Sequence, residues 1–165
     1  MLLALALGYL CHMWNLKPMQ CAIQEAEKAF VQDEVPVGAV IVDSLSGDII
    51  AIAHNEMEKS QDPTAHAEML AIRRATAAMG RGRLENCDLY VTLEPCPMCA
   101  QAISFARVRR LYFGAYDPKG GGVDHGAKIF TASSCHHIPE VIGGLEEKEC
   151  AQLLRNFFEG KRVVK

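Results

Sequence analysis

Two short runs in this sequence carry unusual chemistry. His66-Ala67-Glu68 sets an imidazole and a carboxylate two residues apart, and Pro95-Cys96-Pro97-Met98-Cys99 sets two thiols at i and i+3. On one helical turn that spacing puts both sulfurs on the same face. A helix N-terminus favours thiolate over thiol, and two neighbouring thiolates with an imidazole form a ligand set for Zn2+. Three protein donors leave a fourth position open, the mark of a catalytic rather than a structural ion. Water held there loses its proton far more readily than bulk water. Glu68 lies on the opposite side of a regular helix from His66. It can share the site only if the pocket lies over the helix end, where it would move protons as a general acid and base.

Each piece also has a plainer reading. A lone histidine often fills or caps a core, and a first-turn glutamate is stabilised by the helix dipole. A C-x-x-C that follows a strand and opens a helix is also where a thioredoxin-like redox dithiol sits. A structural zinc site needs a fourth protein ligand, which His54, Cys87, Cys135, His136 or His137 would have to supply. The redox and structural-zinc readings therefore stay open beside the catalytic one.

These residues need elements to position them. Met19, Ala22, Ile23, Ala26 and Phe30 recur at helical spacing, behind Pro18 at a first-turn position. Val37–Val42 and Ile49–Ala53 read as strands joined by the turn Asp43–Gly47, with a polar loop from His54 to Thr64 after them. Ala65–Met79 has no breaker and reads as a buried helix ending at Gly80. Leu89–Leu93 reads as a strand, Pro97–Ala106 as a helix and Val108–Phe113 as a strand. Asp117–Gly126 is a glycine-rich loop, and a last helix runs from about Glu146. A hairpin followed by alternating helices and strands is an α/β domain with a mixed sheet.

Composition bounds the class. The chain has 165 residues, 50% hydrophobic and 22% charged, which excludes disorder, collagen and coiled coil. Its mean hydropathy of +0.05 and short apolar runs exclude a bundle of membrane spans. The net charge of −3 hides an asymmetry: residues 1–72 are acidic and residues 73–128 basic, so a local basic patch can form around Arg73, Arg74, Arg81, Arg83, Arg107, Arg109, Arg110, Lys119 and Lys128. Seven irregularly spaced cysteines argue against a disulfide framework and for a reduced, cytoplasmic setting. Met1–Trp14 is apolar and has no Lys or Arg. It lacks the basic start and clear cleavage site of a signal peptide, and is too short for a confident membrane span. A misplaced start codon (Met13 and Met19 lie just downstream), a docking helix or partner contact, and an export or anchoring segment all stay open for it. The expected organisation is an N-terminal extension over residues 1–18 and one domain over residues 19–162.

Taken together, H-x-E followed by P-C-x-x-C is the signature of the zinc-dependent nucleobase deaminases. The match extends through Glu34–Asp43, Asp62–Ala75, Leu89–Ala100, Tyr116–Phe130 and Val141–Arg162, which resemble bacterial tRNA adenosine deaminases of the cytidine/deoxycytidylate deaminase superfamily. The resemblance implies a cytidine-deaminase-like three-layer α/β/α sandwich with a five-stranded mixed sheet, and a homodimer. It implies one Zn2+ per chain on His66, Cys96 and Cys99, and Glu68 as the catalytic proton carrier. It implies that Asn55 binds the target base. The implied reaction is hydrolysis of adenosine to inosine at the wobble position of a tRNA anticodon loop. Phe158, Lys161 and Arg162 are candidate RNA contacts, whereas Phe157 fits the apolar face of its helix. A deaminase of a free nucleobase or nucleoside, of the guanine or cytosine type, shares the same motif. The stretch Gly122–Val141 departs from the common family pattern, with His136-His137 where an Asn-His pair is usual.

Overall fold

The computed structural model describes residues 17–163, so the expectations for Met1–Trp14 lie outside the described residues. Helix α1 (Pro18–Val31) opens on its proline and buries Met19, Cys21, Ala22, Ile23, Ala26 and Ala29. Strands β1 (Gly38–Asp43) and β2 (Ile49–His54) form the expected hairpin. Helices α2 (Met57–Ser60) and α3 (Ala67–Met79) follow, then β3 (Cys87–Leu93), α4 (Pro97–Phe105) and β4 (Arg110–Ala115). A 3-10 turn (Ile129–Thr131), β5 (Glu140–Ile142) and α5 (Glu147–Val163) complete the described chain. No helix among the described residues is long and apolar enough to cross a membrane.

The five strands lie in the order β2-β1-β3-β4-β5. β1 is antiparallel to β2 and to β3, while β3, β4 and β5 run parallel. This is the mixed sheet that the sequence implied, covered by helices on both faces. β1 divides its side chains between the two layers. Ala39 and Ile41 join a core with Ala67, Ala71 and Ala75 of α3 and Ala100 and Ile103 of α4, whereas Val40 and Val42 join Met19, Ala22 and Ile23 of α1 and Cys150 of α5. A strand buried on both faces reads as a continuous apolar run rather than an alternation, as Gly38–Val42 does.

Several boundaries differ from the sequence reading. α3 starts at Ala67, not Ala65, because the Ala65 N–H is taken by the Asp62 carbonyl and His66 is extended. It is also not buried all round: Ala67, Glu68, Ala71 and Ala75 form its buried stripe. An alanine-rich run has helix propensity but does not announce which face is covered. β4 starts at Arg110, not Val108, because Arg107 has φ 54° and the Val108 N–H turns back to the Ile103 carbonyl. The polar loop after β2 contains α2, and the three-residue β5 lacks any periodic signal of its own.

The glycine-rich loop Asp117–Gly126 is irregular yet tightly held. Glu94, whose side chain is fully buried, accepts the backbone N–H groups of Asp117 (3.0 Å), Val123 (3.3 Å), Asp124 (2.9 Å) and His125 (2.9 Å). It also bonds His125 Nδ1 at 2.8 Å. Burial alone would raise its pKa, but these hydrogen bonds outweigh burial and hold the carboxyl below its usual range. The Gly122 N–H donates to the Pro95 carbonyl at 2.8 Å. A Cβ at Gly122 would lie 2.5 Å from the Pro97 nitrogen, so only glycine lets the loop press against the start of α4.

A second buried carboxylate, Glu25 of α1, accepts from His54 Nδ1 at 2.8 Å and pairs with Lys28. Burial alone would raise its pKa, but the bonds from His54 and Lys28 outweigh it and lower the value from 4.5. A carboxyl whose folded pKa lies below its unfolded value contributes stability above the unfolded pKa and loses it as pH falls through the folded one. The urea midpoint should therefore fall as pH drops below 4.5, and Glu25→Gln should show a shallower acid limb. Glu94→Ala leaves four backbone N–H groups without their acceptor and should cost on the order of 3 kcal/mol in urea unfolding. Gly122→Ala should also destabilise, while Lys119→Ala on the exposed side of the same loop should stay within about 0.5 kcal/mol.

Candidate metal centre

The sheet brings the two chemical motifs to one place. β2 and β3 are each antiparallel to the strand between them, so they run parallel to one another and end at the same edge of the sheet. The helices that follow them, α3 and α4, pack on the same face, in the core that contains Ala67, Ala71, Ala100 and Ile103. Their N-termini therefore meet at the carboxyl end of the strands, where α/β sheets commonly form binding crevices. β4 runs parallel to β3, so the loop gripped by Glu94 leaves β4 at that same end.

His66 is the N-cap of α3, with φ −71° and ψ 151°, and Cys96 is the N-cap of α4, with φ −68° and ψ 170°. Neither side chain caps its own helix, so the imidazole and the thiol stay free for other work. Pro97 takes the first helical position, where a missing N–H costs nothing, and Cys99 comes one turn on. His66 Nδ1 lies 3.6 Å from Cys96 Sγ and 3.5 Å from Cys99 Sγ. The three donor atoms all fall within 4.8 Å of one another.

The donor set suits zinc. A tetrahedral ion bonded at about 2.3 Å to sulfur and about 2.0–2.1 Å to nitrogen sets those atoms about 3.5 Å apart, the spacing of both pairs. Among the described residues, this is the group of His, Cys, Asp and Glu donors that closes tightly enough for an ion. It contains three residues, so among the described residues no fourth protein ligand of these types completes a structural site.

The electrostatics prepare the donors for a cation. The hydrogen bond from Cys99, together with His66, pulls the Cys96 thiol down to about 4. The proton stays on Cys99, which is pushed up by the neighbouring Cys96 and by burial. Hydrogen bonding to Cys96 raises the His66 pKa. Glu68 is buried at 4% exposure, and burial drives its carboxyl from 4.5 up to about 7. Its side chain is hydrogen-bonded to Cys99 and interacts with the charges of Cys96 and His66. The geometric demand on Glu68 is met because His66 stands outside the helix, so the regular angular offset between i and i+2 does not apply.

Asn55 lies just past β2 and is 4% exposed. Its N–H donates to the Val37 carbonyl, and the next N–H, of Glu56, donates to the carbonyl of Ala65, directly before His66. Phe158, Lys161 and Arg162 lie on α5, and none of the three makes a hydrogen bond, ion pair or ring contact with the donor group among the described residues. Phe158 is 47% exposed and Phe157 only 7%, so Phe157 is core. Lys161 pairs with Asp33 at 2.6 Å and lies over the Phe157 ring. Several cations of the basic segment already have partners: Arg109 with Asp88, Arg110 with Glu140 and Arg74 with Glu56. Sequence reasoning missed Glu94 and Glu34. Both are buried acids without a motif of their own, and the one hint was that Glu94 directly precedes Pro95-Cys96.

Comparison with known proteins agrees with this geometry. Residues 12–115 match the cytidine and deoxycytidylate deaminase zinc-binding region. The tRNA-specific adenosine deaminase of Agrobacterium fabrum is 54% identical over 88% of this chain and 94% of its own length. That of Bacillus subtilis is 48% identical over 89% of this chain and 90% of its own length. A solved structure from a study of A-to-I editing by tRNA:A34 deaminases at the wobble position superposes with a TM-score of 0.80 at 54% identity, covering 83% of this chain and 98% of that one. With donors, fold and sequence in agreement over nearly the full length of these relatives, the chain belongs to the cytidine and deoxycytidylate deaminase family, among the tRNA-specific adenosine deaminases.

Proposed function

We infer that this chain is a hydrolase that converts adenosine to inosine at the wobble position of tRNA, using zinc held by His66, Cys96 and Cys99. The observation that carries this reading is the closure of those three donors to within 4.8 Å, beside Glu68, in a chain 54% identical to a tRNA-specific adenosine deaminase. Residues 19–162 form the catalytic domain, and the working form is a cytoplasmic homodimer. The net reaction consumes one water and releases ammonia, leaving a carbonyl at C6 of the base.

Bound by His66, Cys96 and Cys99, zinc would supply Lewis-acid activation of water. The protein supplies the rest. Glu68 takes one proton from the attacking water and places it on a ring nitrogen, then takes the remaining hydroxyl proton at C6 and passes it to the departing amine, so that ammonia leaves and a carbonyl remains. Burial pushes the Glu68 carboxyl up from its ordinary value, toward the range in which a carboxyl both accepts and donates a proton. Asn55 holds the base edge. The anticodon loop presents its bases unpaired, so delivering adenine into the pocket costs less than flipping it from a duplex. Cations of residues 73–128 without an internal partner, with Arg162 and Lys161 on α5, supply charge for the sugar-phosphate backbone.

The test is incubation of the purified zinc-loaded protein with an anticodon stem–loop bearing adenosine at the wobble position. Inosine should appear there. Turnover of free guanine or cytosine with no inosine in the RNA would replace this reading with a free-base deaminase. Metal analysis should return about one zinc per chain. Glu68→Ala should keep the metal and lose activity by roughly 10²–10⁴-fold, while Cys96→Ala should lose both metal and activity. Near-normal turnover by Glu68→Ala would overturn the proton-carrier role.

A further inference from the structure

Glu34 is 1% exposed, and no cation pairs with it among the described residues. A buried carboxylate without a counter-charge is costly unless its oxygens are fully hydrogen-bonded. Both are engaged. Oε1 accepts the Lys59 N–H at 2.8 Å, and Oε2 accepts Nδ2 of Asn55 at 3.3 Å. The first bond serves α2, whose own N-cap, Glu56, makes no side-chain cap. Lys59 is the third residue of that helix, so Glu34 satisfies from a distance one of the N–H groups that a helix start leaves open. The chain delivers Glu34 there through Asp33, at φ 63°, and a hydrogen bond from the Glu34 N–H to the Ala29 carbonyl at the end of α1.

The second bond bears on recognition. A primary amide has two nearly isosteric flip states, one presenting N–H groups where the other presents oxygen. A carboxylate oxygen only accepts, so Glu34 admits one of them: the Asn55 nitrogen faces Glu34, and the second Nδ2–H and Oδ1 stay available to a ligand. We propose that Glu34 is a positioning residue that sets base specificity by fixing the flip state of the Asn55 amide, so that Asn55 offers an N–H to a ring-nitrogen acceptor of adenine. This rests on Asn55 being a base contact. The opposite flip state would set the amide oxygen against that ring nitrogen, lone pair to lone pair.

Glu34→Gln tests this with almost no change of shape. The Lys59 N–H still requires an oxygen, so the glutamine oxygen stays on Lys59 and its NH2 group faces Asn55. The Asn55 amide must then turn its oxygen to Glu34→Gln's nitrogen. The measurement is kcat/KM on zinc-loaded protein with anticodon stem–loops carrying adenosine, 7-deazaadenosine or 3-deazaadenosine at the wobble position. In the native protein, deleting the ring nitrogen that Asn55 reads should cost roughly 10- to 100-fold. In Glu34→Gln, activity on adenosine should fall by a similar factor and that atom-deletion penalty should vanish. A purely structural Glu34 would lower activity on all three substrates alike and leave the ratio intact, which would overturn the proposal. Asn55→Ala separates the two levels. If it leaves both deaza penalties unchanged, the base-contact reading of Asn55 fails. If it abolishes one and Glu34→Gln does not, only the role of Glu34 fails. Should Glu34→Gln not fold, the native protein still decides: one Asn55 side-chain N–H, assigned by its loss in Asn55→Ala, should be protected from hydrogen exchange, and two equally unprotected protons would overturn the proposal.

Discussion

One nitrogen and two sulfurs, about 30 residues apart along the chain, must converge on a single point, and the rest of the structure serves that requirement. No local conformation can achieve it. It needs two strands ending at one edge of the sheet, two helices starting there on one face, and a side chain at each helix start that does not cap its own helix. β1 provides the first condition by lying antiparallel to both neighbours. The shared core of α3 and α4 provides the second, and the extended conformations of His66 and Cys96 provide the third.

Charge follows from the same convergence. Two helix dipoles present their positive ends to a cluster containing two sulfurs and a carboxyl. The proton inventory of the cluster is therefore crowded: Cys96 gives its proton up easily, Cys99 keeps one, and burial pushes Glu68 up to about 7. A divalent cation relieves this crowding by replacing protons, which is why ion binding and proton release are coupled at such sites. Glu68 is not part of the group of three donors, and its burial favours the protonated carboxyl.

The chemistry of the site was more legible than its frame. H-x-E and P-C-x-x-C are compact, and their meaning lies in residue type, so the sequence alone named His66, Glu68, Cys96 and Cys99. The helix face of α1 and the hairpin were legible from periodicity and turn residues. The start of β4 was not, because the left-handed Arg107 extends the turn after α4 and postpones pairing of a segment that looks strand-like from Val108. α2 and β5 are too short for any period to register. Glu34 and Glu94 escaped notice for another reason. An acidic residue among loop residues looks like surface, and only the tertiary structure shows that each is buried with both oxygens engaged.

The grip of Glu94 on the loop after β4 is made mainly to amide groups of the main chain, not to side chains. Every amino acid except proline carries that group, so the loop can exchange its outward-facing residues and still keep its path. The contour of the catalytic rim is thereby uncoupled from its surface chemistry. Such a rim is evolvable: it can change its shape or charge through substitutions that leave the anchoring acid, and the thiol two residues beyond it, undisturbed.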